Sequence, residues 1–274
     1  MTDKYAVIGN PVAHSRSPLI HAEFARQTGQ DISYTAVLAP RDGLRVAVLE
    51  FRSAGGRGMN VTLPFKHEAW GLVTAHQGDA YTAGAVNTLE FRGAGIIGHN
   101  TDGIGLVRDI TVNLGYSIEM RRVLLMGAGG ASYGVMEPLL REKPDELVVA
   151  NRTPGKAVAL MDHFEKLRKL APRGVAARAY ASLRGERFDV LINATSAGLT
   201  NEMPPLPEGI VAGDALAYDM VYGKTTPFLE FARARGAQVA DGTGMLVEQA
   251  AESFFIWRGV RPRTAPVIEM LRKA

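Results

Sequence analysis

The sequence predicts an α/β protein of two domains, each built on a mainly parallel β-sheet. Short apolar runs alternate with helical patterns along most of the 274 residues, and this alternation is typical of parallel strands connected by helices. In the middle of the chain an apolar run ends at Met126 and breaks into a glycine-rich turn. A helical pattern follows, and then a second apolar run, Leu147–Ala150. These two observations predict a doubly wound unit in the central part of the chain.

The turn after Met126 reads Gly127-Ala128-Gly129-Gly130-Ala131-Ser132. Between a strand and a helix, such glycines allow a tight turn and a close approach to a pyrophosphate, and the N–H groups of the helix point at the anion. Taken alone, the turn also fits an ordinary strand-to-helix connection, because Ser132 stands where the fingerprint has Gly or Ala.

The end of the second apolar run makes the dinucleotide prediction more specific. The run is followed by Asn151-Arg152-Thr153, at the point where sites for NAD usually carry Asp or Glu. An arginine suits a 2′-phosphate instead. We therefore predict a Rossmann-type domain that binds NADP.

Composition excludes several classes of protein. The chain has no cysteine, so disulfide frameworks, thiolate nucleophiles and thiolate metal sites are impossible. The net charge of +3 is small, and no block of basic residues indicates nucleic-acid binding. No apolar run is long enough to span a membrane, and the first residues do not resemble a secretory signal. We expect a cytoplasmic protein that binds neither nucleic acid nor membrane.

The first third of the chain predicts one sheet with helices between its strands. Strands are expected at Tyr5–Ile8, Ile32–Leu38 and Gly58–Thr62, and helices at 17–29 and 41–54. Arg92-Gly93-Ala94 separates Val86–Phe91 from Gly95–Gly98 as a hairpin. A mainly parallel sheet with an antiparallel edge is predicted.

The remainder of the chain repeats the alternation. Helices are expected at 103–114, 155–170, 245–257 and 262–271, and strands near 122–126, 146–150, 189–193, 215–219 and 237–240. This rhythm predicts an N-terminal domain of residues 1–101, completed by 238–274, and a nucleotide-binding domain of residues 102–237.

Polar residues cluster at the ends of the first predicted strands, where open α/β sheets bind ligands. Ser15 and Ser17 stand at a helix start and can both donate to a carboxylate, although Ser17 is also a candidate N-cap. Asn60 and Thr62 point to the same side of a strand. Lys66 follows near a helix start, where a cation is slightly disfavoured and solvation is the alternative role.

Further polar residues follow later strands. Asn87 and Asp102 offer acceptors for sugar-like hydroxyls, although Asp102 is also a candidate N-cap; His99 is expected to be structural. Asn193–Gly198, which includes Thr195, and Tyr218–Tyr222 follow strands of the nucleotide-binding half. Turn chemistry and core packing are the alternatives for these two segments.

Taken together, the motifs resemble the shikimate dehydrogenase family over essentially the whole chain. Each motif is short, but nine in order with compatible spacing are highly specific. They are Gly9-Asn-Pro-Val-Ala-His-Ser-Arg-Ser-Pro18, Asn60-Val-Thr-Leu-Pro-Phe-Lys66, Ala83-Gly-Ala-Val-Asn-Thr88, Asn100-Thr-Asp-Gly103, Gly127-Ala-Gly-Gly-Ala-Ser132, Asn151-Arg-Thr153, Asn193-Ala-Thr-Ser-Ala-Gly198, Tyr218-Asp-Met-Val-Tyr222 and Gly244-Met-Leu-Val-Glu-Gln249.

The resemblance implies reversible reduction of 3-dehydroshikimate to shikimate with NADPH, in aromatic amino-acid biosynthesis. It implies a catalytic pair, Lys66 and Asp102, and no metal is required for the reaction. Lys66 either transfers the proton itself or orients and polarises the carbonyl. The implied substrate-binding residues are Ser15 and Ser17 at the carboxylate, with Asn60, Thr62, Asn87, Tyr222 and Gln249. The implied cofactor-binding residues are Gly127, Ala128, Gly129, Gly130, Ala131, Asn151, Arg152, Thr153, Lys156, Thr195, Gly242 and Met245, with Arg152 and Thr153 at the 2′-phosphate and Met245 near the nicotinamide.

Two other functions remain open at this point. The first is a quinate dehydrogenase of the same family that uses NAD; Ser17 and Arg152 argue against it. The second is a non-catalytic regulator that binds NADP, which intact Lys66 and Asp102 disfavour. Lys156 stands where many relatives carry a second arginine, so the charge is kept and the fork geometry is lost. The protein is expected to be a monomer or a homodimer.

Overall fold

The computed structural model describes residues 2–168, 174–195, 197 and 200–273. The chain forms two compact units. The first unit comprises Met1–Gly105 and Val247–Ala274, and the second comprises Leu106–Leu246. The chain therefore passes from one unit to the other at 105/106 and 246/247, whereas the strand rhythm placed the boundaries near 102 and 238.

The first unit contains a mixed sheet. In chain order its strands are β1 (Asp3–Gly9), β2 (Ile32–Leu38), β3 (Gly56–Val61), β4 (Ala75–Gln77), β5 (Thr88–Arg92) and β6 (Gly95–His99). Across the sheet they follow the order β2-β1-β3-β5-β6-β4, and β5 runs antiparallel to both of its neighbours. The other described pairs, β1–β2, β1–β3 and β4–β6, are parallel.

The expected antiparallel edge is wrong, although the hairpin β5–β6 forms as predicted. Strand β4 pairs with the outer side of β6, so the hairpin lies inside the sheet. This strand has only three residues, and it carries no apolar alternation that would reveal it in the sequence. The local hairpin was therefore predictable, while its place in the sheet was not.

Helices of the first unit begin where the sequence supplies compatible residues. Pro18 stands in the first turn of α1, where its missing N–H is not needed. The helix ends at Gly29, which adopts a left-handed conformation with φ of 65°. The other helices are α2 (Leu44–Ser53), α3 (Lys66–Leu72) and α4 (Asp79–Ala83), after α1 (Ser17–Thr28). Of these, α4 was not predicted, and α3 was expected only as a helix start near Lys66.

The second unit contains a parallel sheet of the Rossmann type. Its strands are β7 (Arg122–Met126), β8 (Glu146–Ala150), β9 (Val175–Arg178), β10 (Phe188–Asn193), β11 (Val211–Asp219) and β12 (Gln238–Asp241). They follow the order β12-β11-β10-β7-β8-β9 across the sheet, and every described pair is parallel. The edge strand β9 was not predicted.

Both faces of this second sheet are buried. In β7, Val123 and Leu125 belong to one hydrophobic cluster, whereas Leu124 and Met126 belong to another. Strands covered on both faces are continuous apolar runs, and this is why β7 and β8 were evident in the sequence.

The remaining helices are α5 (Asp102–Arg108), α6 (Gly130–Arg141), α7 (Pro154–Arg168), α8 (Pro227–Arg233), α9 (Thr243–Arg258) and α10 (Ala265–Lys273). A π-helical turn, Asp109–Asn113, continues α5. Of the predicted helix 155–170, residues 169 and 170 lie outside the described residues, as do Ser196 and Gly198 of the predicted turn. No helix in the described part of the chain is long and apolar enough to cross a membrane.

Candidate active site

The first unit brings Lys66 and Asp102 into direct contact. Lys66 is the first residue of α3 and Asp102 is the first residue of α5. The Nζ atom of Lys66 lies 2.6 Å from Oδ2 of Asp102, and the two side chains are 22% and 8% exposed. A buried carboxylate therefore holds an ammonium group that solvent can still reach.

Asn87 fixes the other oxygen of this carboxylate. Its Nδ2 donates to Oδ1 of Asp102 at 2.9 Å and to Oγ1 of Thr101 at 2.9 Å. Its Oδ1 accepts from the backbone N–H of Thr101 at 2.9 Å. The Asp102 carboxylate is thus held from both sides, by an ammonium group and by an amide. The alternative role of Asp102 as an N-cap is wrong, because α5 starts at Asp102 and its carboxylate bonds Lys66 and Asn87.

Further hydrogen bonds centre on Asn60, whose Nδ2 donates to the backbone oxygen of Asn87 at 3.2 Å. Asn60 is buried, and its Nδ2 donates to Thr88 Oγ1 at 3.1 Å and to Ser253 Oγ at 2.9 Å. Its Oδ1 accepts from the hydroxyl of Tyr34 at 2.7 Å. Asn60 therefore makes its hydrogen bonds within the protein. Ser253 and Tyr34 were missed in the sequence, since their positions fit ordinary helix and strand faces. Thr88 stood in the motif Ala83–Thr88, but no role was assigned to it.

Gln249, on α9, reaches the same group of polar side chains. Its Oε1 lies 3.4 Å from Asn87 Nδ2, and its backbone oxygen accepts from Thr101 Oγ1 at 3.0 Å. A residue from the C-terminal part of the chain thereby joins Asn87 and Asp102 in the first unit.

Ser15 and Ser17 lie at the start of α1. The backbone N–H of Ser17 donates to Oγ of Ser15 at 3.3 Å. Ser17 is the first residue of the helix, and the N-cap position is held by Arg16, whose side chain makes no capping hydrogen bond. The alternative role of Ser17 as an N-cap is therefore wrong. Thr62 packs beside Gly9 at the end of β1, because a Cβ added to Gly9 would lie 2.4 Å from its Cγ2.

In the second unit the glycine-rich turn follows β7. Gly127 has φ of 107°, which disfavours any residue with a side chain, and a Cβ there would also lie only 3.1 Å from the backbone of Ala194. At Gly129 an added Cβ would meet nothing within 4 Å, which leaves open space over the backbone. Helix α6 begins at Gly130 without a side-chain cap. An exposed backbone at a helix start is the arrangement that binds a phosphate.

Residues after the neighbouring strands complete the same edge of the sheet. Arg152 follows β8, is 81% exposed, and lies 3.7 Å from Oε2 of Glu202. Asn151 Nδ2 donates to the backbone oxygen of Thr153 at 2.9 Å. Thr195 follows β10 and its hydroxyl donates to Asn193 at 2.7 Å. The turn and the exposed cation therefore lie after adjacent strands, as a dinucleotide with a 2′-phosphate requires.

Protein-family models match most of the chain. The model of the shikimate dehydrogenase substrate binding domain matches residues 7–89, and that of shikimate / quinate 5-dehydrogenase matches 110–200. The shikimate 5′-dehydrogenase C-terminal domain matches 242–272. A shikimate dehydrogenase (NADP(+)) from Nitrosospira multiformis is 61% identical over 277 aligned residues, covering 100% of this chain and 98% of the relative. The chain belongs to the shikimate dehydrogenase family.

Solved structures of similar proteins share the fold. Shikimate 5-dehydrogenase from Thermus thermophilus, in complex with NADP(H) and shikimate, has a TM-score of 0.87 at 34% identity and covers 99% of both chains. An Ael1 enzyme from Pseudomonas putida has a TM-score of 0.92 at 48% identity, covering 98% of both chains. The two-domain α/β fold and the family that the motifs predicted are both confirmed.

The structure of this shikimate dehydrogenase family member also places the remaining predicted residues. Tyr222 follows β11 and is exposed, and Lys156 lies exposed on α7. Met245 is buried in the first turn of α9. Gly242 has no room for a side chain, since an added Cβ would lie 2.3 Å from the backbone oxygen of Met220. His99, expected to be structural, lies 3.2 Å from Glu90 Oε2, and burial lowers its pKa.

Proposed function

We propose that this protein catalyses the reversible, NADP-dependent reduction of 3-dehydroshikimate to shikimate, with Lys66 and Asp102 as its catalytic pair. The observation that carries the proposal is the 2.6 Å contact between Lys66 Nζ and Asp102 Oδ2, held on its far side by Asn87. The reaction adds a hydride to the carbonyl carbon and a proton to the carbonyl oxygen. A cation that is fixed in place before the reaction suits the charge that develops on this oxygen.

The role proposed for each catalytic residue follows from its contacts. The Lys66 ammonium would donate to the carbonyl oxygen of the substrate and stabilise the negative charge as it develops. Asp102 would hold this ammonium at a fixed point, and Asn87 would hold the carboxylate. In the oxidation of shikimate, the same pair would receive the proton of the reacting hydroxyl.

The second unit fits the cofactor. NADPH supplies the hydride when it is bound. The open backbone at Gly129 and the start of α6 would receive the pyrophosphate, and Arg152 with Thr153 would receive the 2′-phosphate. Thr195, Gly242 and Met245 would complete the cofactor site, and Lys156 would add a second cation near the ribose.

The remaining polar residues are proposed to bind the substrate. Ser15 and Ser17 would hold its carboxylate, and Thr62, Asn87, Asp102, Gln249 and Tyr222 would contact its hydroxyls. Asn60 would act through Asn87 and Thr88, because its own polar atoms already bond Tyr34 and Ser253. A cytoplasmic location and a monomeric or homodimeric state belong to the same proposal; light scattering after size exclusion measures the latter.

One assay tests the function directly. Purified protein is given shikimate or quinate with NADP⁺ or NAD⁺, and kcat/KM is measured for the four combinations. Shikimate with NADP⁺ is expected to have the highest value. A higher value for quinate with NAD⁺ would support the quinate alternative. Binding of NADPH without turnover of either acid would support the regulator alternative.

Substitution of Ser17 tests the carboxylate site. A hydrogen bond to a charged group contributes ~1.5–3 kcal/mol, so Ser17→Ala is expected to raise the KM for shikimate roughly 10- to 150-fold. The substrate carboxylate keeps its charge during the reaction, and kcat should fall much less. The matched control is Ser53→Ala, since Ser53 bonds only the exposed backbone oxygen of Glu50. A lower melting temperature with an unchanged KM would assign Ser17 a structural role.

A further inference from the structure

A buried tyrosine and a buried aspartate meet in the second unit, and the proposed chemistry uses neither. Tyr218 lies in β11, Asp109 begins the π-helical turn, and both side chains are fully buried. The hydroxyl of Tyr218 donates to Oδ2 of Asp109 at 2.6 Å. Its oxygen accepts from the backbone N–H of Met245 at 3.2 Å. Core packing was the alternative role for Tyr218, and the residue does belong to the hydrophobic core of this unit. Its hydroxyl also joins three elements of the unit, β11, the π-helical turn and α9.

These hydrogen bonds stabilise the first turn of α9. The helix begins at Thr243, so the N–H of Met245 lies in the turn where no helical carbonyl is available to accept it. The Tyr218 hydroxyl supplies the missing acceptor. The carboxylate of Asp241 does the same for Thr243, whose N–H and Oγ1 lie 3.2 and 2.9 Å from it. The start of α9 is therefore held by two separate side chains of the second unit.

Gly244 brings the backbone of this turn against Asp109. A Cβ added to Gly244 would lie 1.9 Å from Oδ1 of Asp109, so any side chain would displace the turn or the carboxylate. A carboxylate at the N-terminal end of a helix also interacts favourably with the helix dipole. Asp109 thus contacts the turn directly at Gly244 and indirectly, through Tyr218, at Met245.

The direction of the hydrogen bonds is fixed by protonation. Burial raises the pKa of Tyr218 well above its usual value, and the neighbouring Asp109 carboxylate raises it further. The phenol therefore keeps its proton at every pH at which the protein works. Its single O–H points at Asp109, which leaves the oxygen lone pairs for Met245.

We propose that Tyr218 and Asp109 are positioning residues that fix the backbone of Gly242–Met245, and through it the place of Met245 against the nicotinamide ring. The inference rests on the proposed function, in which Met245 lies beside the nicotinamide. Without the Tyr218 oxygen, the Met245 N–H has no acceptor and the turn loosens. The contacts of Arg152 with the cofactor are made elsewhere, so binding of NADPH is largely kept while alignment for hydride transfer is lost.

The test compares Tyr218→Phe with Tyr116→Phe. The Tyr116 hydroxyl bonds the backbone oxygens of Asp189 and Asp214, at 3.1 and 2.9 Å, far along the strands from the cofactor edge. Both variants lose a tyrosine hydroxyl in the second unit. Amide hydrogen exchange at residues 242–246 of the cofactor-free protein is expected to accelerate about tenfold in Tyr218→Phe only, because the loss of the hydrogen bond opens the turn, and tenfold corresponds to ~1.4 kcal/mol.

Kinetics provide the second measurement. Misplacement of the reacting groups by ~1 Å costs up to ~10²-fold, so Tyr218→Phe is expected to lower kcat ~10-fold or more. The Kd for NADPH should change less than about threefold, and the primary isotope effect with deuterated NADPH should rise as hydride transfer becomes rate-limiting. Tyr116→Phe should match the wild type in kcat and isotope effect, whatever its melting temperature.

Substitutions of Asp109 separate positioning from simple loss of folding. Asp109→Asn keeps an acceptor for the Tyr218 hydroxyl and is expected to retain most of the kcat. Asp109→Ala should resemble Tyr218→Phe in exchange and in kinetics. Unchanged exchange at 242–246 in both Tyr218→Phe and Asp109→Ala would overturn the inference. Failure of the proposed function is recognised separately, because the wild type would then show no turnover, while exchange would still report on the turn.

Discussion

Lys66→Ala is expected to fold normally and to lose most of its turnover. General acid–base groups contribute ~10²–10⁴-fold to rates, and we expect a fall in kcat of this order. The ammonium matters most when charge develops on the carbonyl oxygen, so kcat should fall much more than the affinity for shikimate. Steady-state kinetics in both directions, with the melting temperature, measure this effect.

The chain offers a matched control for this substitution. Lys4 is exposed in the same unit, and its Nζ donates to the backbone oxygen of Ala54 at 3.2 Å. Lys4→Ala removes a lysine of equal size and charge and should leave kcat unchanged. Asp102→Asn should lower kcat as well, since an amide does not hold the ammonium by charge. Wild-type turnover in Lys66→Ala would remove the pair from the mechanism.

Arg152→Ala is expected to weaken the binding of NADPH roughly 10- to 150-fold and to leave the binding of NADH almost unaffected. The range corresponds to a charge-assisted hydrogen bond of ~1.5–3 kcal/mol, which only the 2′-phosphate can make. Thr153 and Lys156 should retain part of the preference for NADP. The KM values of both cofactors, measured on the same preparation, check the prediction.

Substitution of Glu202 is expected to have the opposite effect on the binding of NADPH. Its Oε2 lies 3.7 Å from the Arg152 guanidinium, so this carboxylate faces the place proposed for the 2′-phosphate. Glu202→Gln should therefore strengthen the binding of NADPH modestly and should not affect the binding of NADH. The effect is modest because ion pairs as exposed as this one contribute ~1 kcal/mol or less. Equal losses for both cofactors in Arg152→Ala would mean that Arg152 shapes the fold or the adenine pocket.

Local signals in the sequence predicted the parts of the fold that depend on them. The strands β7 and β8 are buried on both faces, and their apolar runs are evident. The end of α1 follows from Gly29. By contrast, β4 and β9 have three and four residues, and their strands form because a neighbour offers an edge to pair with. Nothing in so short a segment specifies that neighbour.

The candidate site, like the fold, was predictable only where local signals in the sequence specify it. The sequence indicated Lys66, Asn87 and Asp102 individually, because each follows a strand or starts a helix. Their mutual contacts depend on the register of strands far apart in the chain, and only the structure gives those distances. Ser253 and Asp109 lie within helical patterns, where a polar residue is usually a solvated one. Their burial comes from tertiary packing and could not be read from spacing.

The end of helix α9 packs against Gly58 of β3, and this contact bears on the order in which the polypeptide folds as it is made. An added Cβ there would lie 2.4 Å from the indole of Trp257, whose Nε1 donates to the backbone oxygen of Leu89 at 3.0 Å. Arg258, the next residue, bonds Asp3 on β1. The sheet of the first unit thus stays uncovered on this side until residues 247–273 leave the ribosome. The second unit is continuous in sequence, and it can complete its core earlier, although more than a hundred residues precede it in synthesis.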